Sequence, residues 1–271
     1  MCDLLGLTFN TNIIANISLN LFQERGVSNP DGWGFAYYTD KKLQVIKEAK
    51  SSIGSSLYDF MENRINSKTI ISHVRRSTRG QPSYLNTHPF YRHLLLNGDT
   101  FEYAFAHNGT LSSTDRLASS AFIPIGETDS ERAFCYLLDS LSSQQRFQWN
   151  LKGFQFVESL LRDINDSQNT LNCIFSDGAR LFCYSDENDH NNGLRFVKQE
   201  YPFGKVELIS HDTTLGFVDI TSSKEHRFRS PSQTGYIIST RILTKELWTE
   251  FREGELIVFE DGEIIYPTDR I

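Results

Sequence analysis

Apolar runs rich in Val, Ile, Phe and Tyr recur along this chain at 33–38, 43–49, 69–74, 103–107, 171–176, 180–185, 236–239, 256–259 and 264–266. Each is too short for a typical helix, and β-branched and aromatic residues in runs of this length predict strands. Turn chemistry joins three pairs of them, at Thr39-Asp40-Lys41-Lys42, Asp177-Gly178 and Asp261-Gly262. Asp-Gly steps supply the positive-φ residues that tight hairpins need, so antiparallel sheet should dominate. Helical periodicity appears at 17–25, 55–65, 129–141 and 145–164. In the last of these, Phe147, Leu151, Phe154, Val157 and Leu161 recur every three or four residues and form one apolar face for a core. Thr128 or Asp129 is the expected N-cap of the third helix, with acids in its first turn. Sheets carrying one-sided helices imply a layered α+β fold rather than an alternating parallel one.

The 271 residues show no repeat and no linker, so one domain over 1–271 is expected. At 39% hydrophobic, 13% aromatic and 23% charged residues the chain can bury a core. Its formal charge of −7 disfavours a nucleic-acid surface. No apolar run reaches the ~18 residues of a membrane span, and the start lacks a signal-peptide pattern, so a cytoplasmic protein away from membranes is expected. Cysteines at 2, 135, 173 and 183 form no CxxC pair and should remain thiols, without zinc or disulfides. The 186–193 loop offers oxygen ligands but not the EF-hand order, and reads as a solvated hairpin tip. No metal and no cofactor are indicated.

Four segments bear chemistry. Removal of Met1 would leave Cys2 with a thiol and a free α-amine, a nucleophile with its own base; taken alone, Cys2 reads more readily as a small hydrophobe opening a strand, and only its partners shift the reading. His73-Val74-Arg75-Arg76-Ser77-Thr78-Arg79-Gly80 brings guanidinium groups to a strand end, as a carboxylate clamp or as a solvated basic loop. His107-Asn108-Gly109 offers a side-chain amide and a glycine N–H, as an oxyanion hole or as an ordinary Asn-Gly turn. Gly126-Glu127-Thr128-Asp129-Ser130-Glu131 sets carboxylates at a helix start, for a ligand or for capping.

Their order and co-occurrence resemble the class II glutamine amidotransferases of the N-terminal nucleophile hydrolase superfamily. Asn29-Pro30-Asp31-Gly32-Trp33-Gly34 and Asn86-Thr87-His88-Pro89-Phe90 add to the likeness. A weaker match through Leu243-Thr244, Trp248 and 254–262 is similar to stand-alone bacterial members of the YafJ type, although Ile242 stands where they often carry proline. The resemblance implies a four-layer αββα sandwich of two antiparallel sheets. It implies that Cys2, at the start of the mature chain, is the nucleophile and that Asn108 and Gly109 form the oxyanion hole. Arg75 would hold the glutamine α-carboxylate and Asp129 the α-ammonium, with Thr78 and His88 in the substrate pocket as shaping or contacting residues.

The expected activity is cleavage of the γ-carboxamide of glutamine, or of a γ-glutamyl compound, through a cysteine thioester. The chain is too short to carry the synthetase, phosphoribosyl-transfer or isomerase domains fused to multidomain members, so a nitrogen acceptor other than water would be a separate partner subunit. The alternative is a noncatalytic glutamine-binding or regulatory subunit of a larger complex. RNA binding through Arg75, Arg76 and Arg79 with Tyr84, Phe90 and Tyr91 is disfavoured by the acidic charge of the chain.

Overall fold

The computed structural model describes residues 2–188, 193–201, 205–210, 213–219 and 232–271. In chain order the elements are β1 (Asp3–Ile14), α1 (Asn16–Gln23), β2 (Gly32–Thr39), β3 (Lys42–Glu48), α2 (Ser56–Glu62), β4 (Asn66–Arg75), β5 (Phe90–Leu96), β6 (Asp99–Asn108), α3 (Asp129–Ser142) and α4 (Leu151–Ile164). There follow β7 (Asn172–Ser176), β8 (Arg180–Tyr184), β9 (Arg195–Glu200), β10 (Lys205–Ser210), β11 (Thr213–Asp219), β12 (Thr234–Ser239), β13 (Thr249–Glu250), β14 (Leu256–Glu260) and β15 (Glu263–Tyr266). Two sheets carry the fold, one in the order β13-β9-β12-β1-β4-β2-β3 and the other β15-β14-β8-β7-β6-β5, while β10 and β11 pair separately. Every pairing is antiparallel.

The period of two along each strand divides the interior into three apolar layers. Leu5, Leu7 and Phe9 of β1 and Ile70 and Val74 of β4 pack outward against Leu19, Leu21 and Phe22 of α1 and Tyr58 and Met61 of α2. Leu4 of β1 and Ile71 of β4 point the other way, meeting Ala104 and Ala106 of β6 and Ile174, Leu181, Cys183 and Ile257 of the second sheet. Tyr103, Phe105, Phe175 and Phe182 on that sheet's far face pack on Phe134 and Leu138 of α3 and Phe154 and Val157 of α4. The result is the αββα sandwich. No helix among the described residues is long and apolar enough to cross a membrane.

Each expected strand is present, and the 39–42 and 261–262 turns place two successive residues at positive φ: Asp40 at 50° and Lys41 at 64°, Asp261 at 48° and Gly262 at 77°. Strands β5, β9, β10 and β11 lie outside the expected runs: β5 (FYRHLLL) and β9 (RFVKQE) are broken by charged residues with neither a continuous apolar run nor a clean alternation, and β13 is only two residues long. The fourth helix starts at Leu151 and not at 145: Arg146 sits at φ 56°, which no α-helix accommodates, and the Asn150 side chain caps the Lys152 and Gly153 N–H groups. Phe147 nevertheless reaches the core, edge-on to Trp149 at 4.8 Å. In the 186–193 loop, residues 189–192 lie outside the described set. Asp186 is buried there, not solvated, and its carboxylate accepts the Leu171 N–H and the Asn165 amide, each at 2.8 Å.

Candidate active site

Strand alternation builds the site. On β4, Ile71, His73 and Arg75 share the face turned to the second sheet, and on β6 Ala104, Ala106 and Asn108 share the face turned to the first. On the inward face of β1, Leu4 is preceded two residues earlier by Cys2. Cys2, Arg75 and Asn108 therefore meet at one end of the inter-sheet layer, each at a strand terminus where the backbone ladder stops, with Cys2 half-buried and the other two buried.

The half-buried Cys2 thiol donates to the Arg76 carbonyl at 3.3 Å, and Arg76 N–H points back to Sγ at 3.2 Å. Burial pushes the thiol pKa up, with the Arg76 backbone acting in the opposite direction. The next residue, Asp3, is almost fully buried and anchors the start of β1: its carboxylate accepts from Thr240 Oγ1 (3.0 Å) and Asn29 Nδ2 (2.9 Å) and pairs with Arg241 Nε (3.3 Å).

Arg75 is 3% exposed and spends three of its five N–H donors on its own loop: the carbonyls of Arg79 (2.9 Å), Gly80 (3.0 Å) and Gln81 (3.4 Å). Burial lowers its pKa, and the Cys2, Asp31 and Asp129 side chains sustain its charge. Asp31 also caps the loop by accepting the Ser77 N–H at 2.7 Å. On the loop's exposed side, Thr78 Oγ1 lies 3.4 Å from Thr110 Oγ1, joining it to the segment after β6.

Asn108 is buried to 4%, yet its side-chain amide makes no hydrogen bond to another described residue. Gly109 is enforced by space, since a Cβ there would lie 1.9 Å from the Thr170 carbonyl oxygen and 2.6 Å from His107 Nε2. His107 faces the helices. Its Nε2 is 2.9 Å from the Thr170 carbonyl, which can only accept, so Nε2 carries the proton and Nδ1 accepts the Ser130 hydroxyl at 2.9 Å. Burial keeps this imidazole neutral by lowering its pKa.

The first turn of α3 is locked from several sides. Thr128 Oγ1 accepts the Glu131 N–H at 3.2 Å, as expected of an N-cap. The Asp129 carboxylate, 6% exposed, accepts from Leu111 N (2.7 Å) and from Ser130 N (3.0 Å), which ties it to the segment carrying Asn108 and Gly109. Glu131 pairs with Arg92 and accepts the Gly126 N–H at 2.6 Å.

His88 lies deeper. Its ring lies against that of His73 at 4.2 Å, tilted by 37°, and meets Phe90 at 4.5 Å, and among the described residues none of the four ring nitrogens has a hydrogen-bond partner. Burial drives the His73 pKa down to about 3 and holds that of His88 well below its ordinary value. Beside them Lys47 Nζ donates to the carbonyls of Thr87 (2.6 Å) and Pro89 (3.3 Å), and its burial lowers its pKa to about 8.

The structure thus brings Cys2, Arg75, Thr78, Asn108, Gly109 and Asp129 to one end of the sandwich and sets His88 in the wall behind Arg75. Sequence reasoning did not assign Asp3, Ser130, Lys47 or the side chain of Asn86. A buried acid at the head of an apolar strand was a legible signal for Asp3; the others depend on contacts 23 to 41 residues apart, which no local pattern carries.

The geometry has relatives. The chain is 40% identical to an uncharacterized protein of Methanocaldococcus jannaschii over 100% of its own length and 72% of that protein's. It is 31% identical to the YafJ protein of Escherichia coli, over 97% of this chain and 99% of that one. A crystal structure of a predicted glutamine amidotransferase from Pseudomonas aeruginosa superposes with a TM-score of 0.68 at 25% identity, covering 98% of this chain and all of that one. The phosphoribosylpyrophosphate amidotransferase of Bacillus subtilis shares the fold at a TM-score of 0.60 and 14% identity, over 97% of this chain and 48% of that one. The family model described as glutamine amidotransferases class-II matches residues 1–270 from end to end, and with that match this chain belongs to the class II glutamine amidotransferases.

Proposed function

We infer that the chain hydrolyses the γ-carboxamide of glutamine, or the γ-glutamyl bond of a small compound, through Cys2 as N-terminal nucleophile. One observation carries this reading: Cys2, Arg75 and Asn108 converge on a single strand-end face, with Asp129 at the adjoining helix start. A zwitterionic amino-acid head needs one cation and one anion, while the side-chain carbonyl needs a nucleophile and two donors.

Once Met1 is removed, the free α-amine of Cys2 takes the thiol proton, directly or through water. The thiolate attacks the γ-carbonyl, and the Asn108 amide and the Gly109 N–H donate to the oxygen as it becomes negative. Collapse of the tetrahedral species breaks the C–N bond, the leaving nitrogen takes the proton from the Cys2 α-ammonium and departs as ammonia or an amine, and a γ-glutamyl thioester remains. Water, deprotonated by the regenerated Cys2 α-amine, attacks the thioester, and the thiolate leaves and recovers that proton, giving glutamate and the free thiol. Arg75 holds the α-carboxylate and Asp129 the α-ammonium throughout. Thr78 closes one side of the pocket, and His88 shapes the wall behind it. The nitrogen is released as ammonia, or as the amine of the cleaved γ-glutamyl compound.

The test is glutamate release by protein whose intact mass shows loss of one methionine, offered glutamine and a panel of γ-glutamyl amides and peptides. Release establishes the activity and its leaving group. Silence across the panel with Cys2 confirmed as terminal removes the catalytic reading and leaves a noncatalytic glutamine-binding subunit.

A further inference from the structure

Asn86 joins the two halves of the head-group site. It is 3% exposed, in the connection between β4 and β5. Its Nδ2 donates to the Gln81 carbonyl at 3.0 Å, the same oxygen that accepts from the Arg75 guanidinium at 3.4 Å. At the other end Oδ1 accepts the Glu127 N–H at 2.8 Å, two residues before Asp129. One side-chain amide therefore spans from the loop holding the cation to the turn launching the helix that carries the anion.

The surroundings are cut to fit this strut. A Cβ on Gly80 would lie 2.8 Å from Asn86 Nδ2, and one on Gly126 would lie 2.6 Å from Asn86 Oδ1, so each flank reaches the amide only because it lacks a side chain. The segment bearing Asn86 is itself held, since Thr87 Oγ1 donates to the Ser83 carbonyl at 2.7 Å and Lys47 grips the Thr87 carbonyl from β3. An amide is the required group because one end must donate to a carbonyl while the other accepts from an N–H.

The geometry points to Asn86 as a positioning residue that fixes the spacing between Arg75 and Asp129, and thereby the selectivity of the site for a head group bearing both an α-carboxylate and an α-ammonium. This rests on the glutamine reading given above. Asn86→Asp separates the two ends: it keeps an acceptor for Glu127 but sets a carboxylate oxygen against the Gln81 carbonyl, so only the Arg75 side is disturbed.

The experiment is calorimetric binding in a Cys2→Ala background, which avoids turnover, on protein whose intact mass shows loss of Met1. The ligands are glutamine and glutaminamide, whose neutral α-carboxamide does not call on the charge of Arg75. With Asn86→Asp added, the Kd for glutamine should rise roughly tenfold while that for glutaminamide changes less than about twofold, contracting the preference between them. Thermal unfolding of each variant checks the fold. Equal weakening of both ligands, or no change in either, overturns the positioning role and leaves the glutamine reading intact. If the Cys2→Ala parent binds neither ligand, the glutamine reading fails and this inference fails with it.

Discussion

At the scale of the residue, neighbours in sequence can serve opposite purposes because successive side chains on a strand face opposite ways. His107 turns to the helices and is consumed by Ser130 and Thr170, whereas Asn108 turns to the inter-sheet layer with its amide unspent among the described residues. If that amide stabilises the oxyanion, Asn108→Ala lowers kcat by about 10²- to 10³-fold, on the order of 3 kcal/mol, with substrate affinity much less affected. Steady-state kinetics per folded molecule decides this; an unchanged kcat assigns Asn108 to the turn alone. The cysteines divide just as sharply. Cys135, Cys173 and Cys183 are fully buried and Cys2 is half-exposed, although burial raises the thiol pKa of all four. A glutamine-like electrophile should label Cys2 alone, as read by peptide mass spectrometry, and modification spread over the other three would remove Cys2 as the nucleophile. Cys2→Ala should abolish turnover and leave the unfolding transition nearly unchanged.

At the scale of the element, α3 is a carrier whose first turn is fixed before any ligand arrives. Thr128 caps it, Asp129 reaches Leu111, Ser130 reaches His107 and Glu131 reaches Gly126. Thr128→Ala should cost about 1 kcal/mol of stability by leaving the Glu131 N–H without its acceptor. Because Asp129 follows directly, the same substitution should raise KM for glutamine more than it lowers kcat. Urea unfolding and kinetics on one preparation test both effects, and a stability loss without any change in KM would mean that Asp129 keeps its place without the cap. The cap was legible in the Thr-Asp-Ser-Glu pattern, since capping is a local affair of three residues. The start of α4 was not: apolar periodicity runs back through Phe147, but the backbone at Arg146 and the Asn150 cap end the helix first.

At the scale of the whole molecule, the buried, adjoining His73 and His88 make the sandwich sensitive to acid. Both are buried with lowered pKa values, His73 to about 3, whereas an unfolded chain takes up protons near 6.5. Above pH 6.5 neither state binds the proton and the full stability is present. As pH falls from there toward 3, the unfolded chain binds protons that the folded one refuses, so stability is lost, by an amount on the order of 5 kcal/mol for His73. Urea unfolding at pH 5.5 and 4.5 should give a slope steeper than that of His73→Leu by about 1.4 kcal/mol per pH unit. Coincident slopes would show that the folded protein admits the proton.

The sequence by itself determined the sheet-rich layered fold, most strand positions, the helix faces, the Thr128 cap and the motifs that hold Cys2, Arg75, Asn108 and Asp129. Those features are written in short-range patterns: a period of two, a period of 3.6, a turn dipeptide, a cap. Tertiary structure alone decided that Arg75 leans on the carbonyls of its own loop, that Lys47 holds the segment after Asn86, that His88 lies against His73, and that one asparagine spans from Gln81 to Glu127. The reason is physical. A buried polar atom must find its partner wherever the packed layers place one, and that partner is set by which strands lie side by side, β4 beside β1 and β6 beside β7, an order that no local stretch of sequence contains.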